Sequence, residues 1–254
     1  MSKVPPPAGQ TWFGSSFGVF VKTPDIGIIE ILSESIIDFI VLDQEHAPLD
    51  RRSLDVLLFA ARSLGLPALV RVPDSEASTA LAALDGGAAG ILFPHVVSAD
   101  GAKRAAGACR YASGRGYSGA VRSARGRGDL WRAIEAADNA ITVVVQIEDE
   151  PAIARAAEIA ACDGVDGLFI GRGDLAVALH AASSDAPEVW AAARTIADAA
   201  ALHQKAIWAF AANWQEADRL LELGARTIIV GSDQSLLKAG AMALAAEAKR
   251  RTQH

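Results

Sequence analysis

Eight short β-rich runs alternate with eight longer helical ones through nearly the whole chain, with no Ser/Gly/Pro linker long enough to separate two domains. The strand-like runs are SFGVFVK (16–22), DFIVLD (38–43), PALVRV (67–72), AGILFP (89–94), TVVVQIE (142–148), GLFIG (167–171), AIWAF (206–210) and TIIVG (227–231). Helical stretches follow them over 24–34, 51–65, 76–87, 102–112, 151–161, 187–204, 214–224 and 235–251. Several of these begin at Asp, Ser or Pro and end at Gly, the residues that satisfy the loose backbone groups of helix ends. Eight βα units in 254 residues match a closed (β/α)8 TIM barrel. An open doubly wound sheet has fewer strands and a glycine-rich first turn, and no GxGxxG follows the first run. The pattern predicts one α/β barrel domain over 1–254, with 1–14 as an irregular N-terminal arm, and it puts any chemistry at the carboxyl ends of the strands.

Polar residues collect at those ends. The second run, FIVLDQEHAP, stops in Asp43, Glu45 and His46, although ionised groups at the end of a buried strand cost several kcal/mol unless paired or metal-bound. Run three supplies Arg71, run five Gln146 and Glu148, and the segment GRGDL after run six Asp174. Gln146 and Glu148 are two apart and share a face of their strand. Glu148 and Asp174, from adjacent strands, suit a divalent cation such as Mg²⁺, Mn²⁺ or Co²⁺, because two carboxylates leave coordination positions open. The alternative stays open that Glu148 is an ordinary acid before a helix and Asp174 a helix cap. Arg71 fits a carboxylate or a developing enolate oxygen, or simply pairs with Asp43 or Glu45. His46 is the proton carrier indicated by its position beside acids, and His95, in LFPHV, is a second candidate.

Composition removes other classes. A net charge of −6 gives no basic excess for nucleic acid or an anionic membrane surface. No run of about 18 residues lacks charge, and MSKVPPPAGQ has no signal-peptide apolar core, which predicts a cytoplasmic protein. Cys109 and Cys162 stand alone in alanine-rich stretches, without the spacing of a zinc or redox pair. Of the six lysines only Lys22 can end a strand, which argues against an aldolase that works through a lysine imine.

The motifs DQEHAP, VRVP, LFPHV, VQIE and FIGRGDL, in this order and spacing, resemble the HpcH/HpaI family of metal-dependent aldolases from about Ser15 to Ala246. The resemblance implies reversible, divalent-metal-dependent aldol cleavage of 4-hydroxy-2-oxo acids to pyruvate, or a close 2-oxo acid, and an aldehyde. It implies Glu148 and Asp174 as metal ligands, Arg71 as stabiliser of the enolate oxygen, His46 as base and Asp85 as the aspartate that pairs with that histidine. Gln146 and the backbone at Gly173 and Asp174 correspond to positions that hold the oxo acid's carboxylate. It further implies a homo-oligomer, commonly a hexamer built as a trimer of dimers, in which subunits exchange a C-terminal helix. An acyl-CoA lyase on a related barrel, or a barrel that binds 2-oxo acids without turning them over, are the competing readings.

The chain departs from the family at Arg172 and Gly173, where many members have proline and alanine, and at His95, which often corresponds to an apolar or methionine position. Arg172 is expected to alter the carboxylate pocket, to bind an acidic aldehyde or to point to solvent. The glycine-rich run 113–129, with Arg115, Arg122, Arg125 and Arg127, reads as a lid or as a solvated loop. Phe210 is a candidate apolar wall for the aldehyde.

Overall fold

The computed structural model describes residues 15–123 and 129–252. The eight strands are β1 Ser16–Val21, β2 Phe39–Asp43, β3 Ala68–Arg71, β4 Gly90–Phe93, β5 Thr142–Ile147, β6 Gly167–Ile170, β7 Ala206–Ala211 and β8 Thr227–Ser232. Each pairs in parallel with the next, and β8 returns to β1, so the sheet closes into a barrel in sequence order. Around it lie α1 Ile26–Ser33, α2 Arg51–Ser63, α3 Ala77–Gly86, α4 Ala99–Cys109, α5 Leu130–Ala140, α6 Glu150–Ala154, α7 Ala156–Ala160, α8 Arg172–Ala178, α9 Pro187–Leu202, α10 Trp214–Glu222 and α11 Asp233–Thr252. Local chemistry sets several starts: Asp25, Asp50, Ser98, Asp129 and Asn213 each accept a backbone N–H of the first turn. Among the described residues no helix is long and apolar enough to cross a membrane.

All eight expected strands form. Two helices were not anticipated: α5, which follows the irregular run, and the short α8 behind β6, whose first turn holds Asp174. The stretch expected as one helix over 151–161 breaks into α6 and α7. The N-terminal arm 1–14 lies outside the described residues, as do Arg125 and Arg127.

Strand periodicity divides the core in two. One set, including Val19, Ile40, Leu42, Val70, Ile91, Val145 and Leu168, faces outward beneath the helices. The other fills the barrel: Phe20, Phe39, Val41, Leu69, Leu92, Val144, Phe169, Trp208 and Ile229, with at least one residue from every strand. Phe39 and Trp208 meet edge to face, with ring centroids 5.5 Å apart. Glycine makes their room, because a Cβ at Gly18 would overlap the Phe39 ring and one at Gly167 would lie 2.7 Å from that of Trp208. The buried Asp233 carboxylate accepts the backbone N–H of Lys22 at 3.0 Å and of Thr23 at 2.9 Å, tying the start of α11 to the end of β1.

Candidate active site

Counting two residues onward from the apolar filling brings the inward face to the barrel mouth. Phe20 leads to Lys22, Val41 to Asp43, Leu69 to Arg71, Val144 to Gln146 and then Glu148, Phe169 to Gly171, and Trp208 to Phe210. A cavity of about 180 Å³ opens there, lined by Phe20, Lys22, Arg71, Gln146, Phe169, Gly171, Arg172, Gly173, Asp174, Phe210 and Ser232. A larger cleft of about 1040 Å³ lies on the flank beside α3 and α4 and receives no strand-end residue of the inward face. The smaller cavity is therefore the chemical one.

One wall is cationic. The fully buried Asp43 receives Arg71 through Nε at 3.0 Å and Nη2 at 2.7 Å, and Lys22 Nζ lies 3.2 Å from it. Its Oδ1 also accepts the backbone N–H groups of Glu45 and His46, both at 3.2 Å, which bends the chain sharply after β2. Burial alone would raise the Asp43 pKa, but the bond and charge of Arg71, the His46 N–H and the Lys22 charge together lower it. Arg71 is thus held by a bidentate pair, stacked 4.6 Å over the Phe20 ring, with Nη1 3.2 Å from Glu45 Oε2. It pairs with both acids and still borders the cavity. The Lys22 ammonium is tied to Asp43, unlike the apolar setting that activates an imine-forming lysine.

Next to this wall lies an acidic group. Glu148 is buried just past β5, its Oε1 accepting the His95 backbone N–H at 2.7 Å and its Oε2 the side-chain amide of Gln146. Burial pushes its pKa up to about 7; hydrogen bonds from His95 and Gln146 oppose that rise, and the charge of Asp174 adds to it. Gly171 allows the end of β6 to lie against this group, since a Cβ there would sit 3.0 Å from Glu148 Cβ and 3.1 Å from its Oε2. Asp174 is exposed in the first turn of α8, at the rim.

Two histidines stand beside these groups. His46 is exposed, with Nε2 3.6 Å from Glu45 Oε2. His95 has a left-handed backbone, φ 53°, and its ring reaches Glu148 Oε1 at 3.1 Å and Asp149 Oδ2 at 3.3 Å through Nδ1, and Glu45 Oε1 at 3.4 Å through Nε2. Burial lowers the His95 pKa, but the charges of Glu148, Asp149 and Glu45 outweigh it and raise the net value. Glu45, His95 and Glu148 offer ligand atoms all within 4.8 Å of one another. Gln146 Oε1 is a buried acceptor without a hydrogen-bond partner, and Glu45 Oε2 has the Arg71 ion pair but no well-aligned hydrogen bond. Oxygen-rich donors, a buried acid with a raised pKa and an unpartnered acceptor fit a bound divalent cation.

Other expected residues go elsewhere. Asp85 pairs at 2.9 Å with the buried Arg115. It sits in the last turn of α3, which runs back from the mouth, so within one chain it does not meet His46. Arg172 borders the cavity but does not point to solvent. It is buried, donates to Ser184 O at 2.9 Å, pairs with Glu216 and stacks 4.5 Å over Trp190. Arg122 anchors to Asp55 at 2.9 Å, so the two described arginines of the 113–129 run brace the outer helices. Phe210 does line the cavity, 6.0 Å from Phe20, whereas Trp208 is core and Trp214 packs on Phe17 outside the barrel.

The family model for HpcH/HpaI aldolase/citrate lyase matches residues 16–239, which takes in every strand and each strand-end residue named above. The chain belongs to this family. Membership makes it a carbon–carbon lyase. It is 35% identical over 226 residues to the hydroxypyruvate/pyruvate aldolase of Paraburkholderia phytofirmans, covering 85% of this chain and 86% of that one. It is also 35% identical over 219 residues to the 5-keto-4-deoxy-D-glucarate aldolase of Klebsiella pneumoniae, covering 85% of each. The crystal structure of a family protein from Burkholderia cenocepacia superimposes with a TM-score of 0.87 at 31% identity, over 93% of this chain and 95% of that one.

Proposed function

We propose that this HpcH/HpaI barrel catalyses reversible, divalent-metal-dependent aldol addition and cleavage, splitting 4-hydroxy-2-oxo acids into pyruvate, or a close 2-oxo acid, and an aldehyde. The observation that carries the reading is one cavity of about 180 Å³ lined by a braced guanidinium, Gln146 and Asp174, with a carboxylate cluster next to that guanidinium and amide. Glu148 and Asp174 would hold Mg²⁺, Mn²⁺ or Co²⁺. Such a cation, when bound, makes the carbon next to a 2-oxo group acidic. Arg71 faces the oxygen that gains charge, and because Asp43 fixes its planar head before substrate arrives, little reorganisation is needed. Gln146, with the backbone at Gly173 and Asp174, orients the carboxylate. His46 moves the proton at Nε2, which lies 3.6 Å from Glu45 Oε2. Phe20, Phe169 and Phe210 keep water from the enolate carbon and leave an apolar surface for the aldehyde.

The test is exchange of the methyl protons of pyruvate in deuterated water, followed by NMR. Chelator-treated protein is expected to lose exchange, and Mg²⁺, Mn²⁺ or Co²⁺ to restore it. Full exchange after metal stripping rejects the cofactor; binding of pyruvate without exchange in the presence of metal leaves a non-catalytic barrel.

We also propose that the chain works as a homo-oligomer. Of the 20 residues of α11 only Asp233 is buried, while Leu236, Leu237, Met242 and Leu244 are exposed. In a closed barrel the last helix covers the seam between the first and last strands; here α11 leaves that seam after its first turn and packs little on α1 or α10. A helix with so much apolar surface in water calls for a cover, and exchange between copies supplies one. Light scattering is expected to give a multiple of the 26.4 kDa chain mass, and Leu237→Glu with Leu244→Glu to shift it towards the monomer. A monomeric full chain contradicts the assembly.

A further inference from the structure

We propose that His95 is itself a metal ligand, so that Glu45, His95 and Glu148 form a mixed oxygen and nitrogen site joining the ends of β2, β4 and β5. This rests on the reading that a divalent cation binds at Glu148, and it adds Glu45 and His95 as donors to that reading. Both acids have one oxygen held by a neighbouring side chain and the other turned towards the His95 ring, where Glu148 Oε1 also accepts the His95 backbone N–H. Glu45 Oε2 lies 3.2 Å from Arg71 Nη1, and Glu148 Oε2 accepts from Gln146. Glu45 Oε1 lies 3.4 Å from Nε2 of the His95 ring, and Glu148 Oε1 lies 3.1 Å from its Nδ1. Neighbouring ligands bound at about 2.0–2.2 Å lie roughly 3.0–3.5 Å apart, which is the spacing of His95 Nε2 from Glu45 Oε1, and one ligand atom from each of Glu45, His95 and Glu148 lies within 4.8 Å of the other two.

The backbone supports the same conclusion. His95 adopts φ 53°, a left-handed conformation that a bulky residue rarely takes unless surrounding structure demands it. That turn aims both the His95 N–H and its ring at Glu148. Asp149 Oδ2, 3.3 Å from Nδ1, is the kind of carboxylate that a ligating imidazole bonds through its other nitrogen. Three carboxylates around one imidazole leave negative charge even when the ring is protonated, and a divalent cation cancels more of it than a proton can.

A nitrogen donor changes which ion wins. Mg²⁺ gains little from imidazole, whereas Co²⁺ and Zn²⁺ bind it strongly. The experiment uses the metal-stripped full chain, titrated with Co²⁺ and with Mg²⁺ by calorimetry, and pulsed EPR of bound Mn²⁺. His95→Gly keeps the left-handed backbone without strain and removes the donor. The expected results are a directly bound nitrogen coupling on Mn²⁺ that His95→Gly abolishes, and a Co²⁺ affinity that falls more than about tenfold while Mg²⁺ affinity changes far less. Glu45→Gln, a milder change, is expected to weaken Co²⁺ in the same direction. Metal binding with no nitrogen coupling, or Co²⁺ affinity unchanged in His95→Gly, overturns the assignment and leaves the cofactor reading intact. Absence of any metal binding by the unsubstituted chain overturns both.

Discussion

Arg71→Leu is expected to lower turnover about 100- to 1000-fold, the usual loss when a preorganised donor to a developing oxyanion is removed. It also strips Asp43 of its bidentate partner in a site with no access to water, leaving Lys22 at 3.2 Å as the remaining ion pair. Breaking a buried pair from one side costs about 3–5 kcal/mol, so the urea midpoint should fall too. The two losses separate in the double variant Asp43→Asn with Arg71→Leu, which relieves the orphaned charge and regains much of the stability but none of the turnover. Near-normal pyruvate release by folded Arg71→Leu would mean that the guanidinium only braces the loop after β2.

His46→Ala is expected to slow the reaction about 100- to 10,000-fold, the range for loss of a positioned acid–base group. Its imidazole is exposed and packs little, so stability should stay within about 0.5 kcal/mol of the unsubstituted chain. Metal affinity should also hold, because Glu45, His95 and Glu148 remain in place. Single-turnover kinetics with metal titration read both quantities. Unchanged turnover would transfer the proton to the other histidine at the mouth, His95, and would cost His46 its assignment.

Much of this site could be read from residue order. Once the barrel was inferred, the two-residue period of each strand carried the inward face from Val41 to Asp43, from Leu69 to Arg71 and from Val144 to Gln146 and Glu148. The FIVLDQEHAP run ends in charge because Asp43 meets Arg71 and Lys22 there. Other features were hidden. The φ of His95 has no marker in LFPHV, since no glycine or asparagine announces a left-handed turn. Nothing near Arg172 in the sequence shows that Trp190 and Glu216, 18 and 44 positions further on, bury and pair its guanidinium at the edge of the cavity.

The succession of eight βα units, the end of the barrel that carries chemistry and most of the residues at that end are determined by the sequence alone. Their signals are local: apolar period, capping residues and strand alternation each act over a few positions. Only the tertiary structure decided that Glu45, His95 and Glu148 converge, that Asp85 goes to Arg115, and that α11 leaves its own barrel. Those outcomes depend on how strands far apart in the chain are staggered when the sheet closes, and on which surfaces then lack a cover, and neither is written in any short stretch of residues.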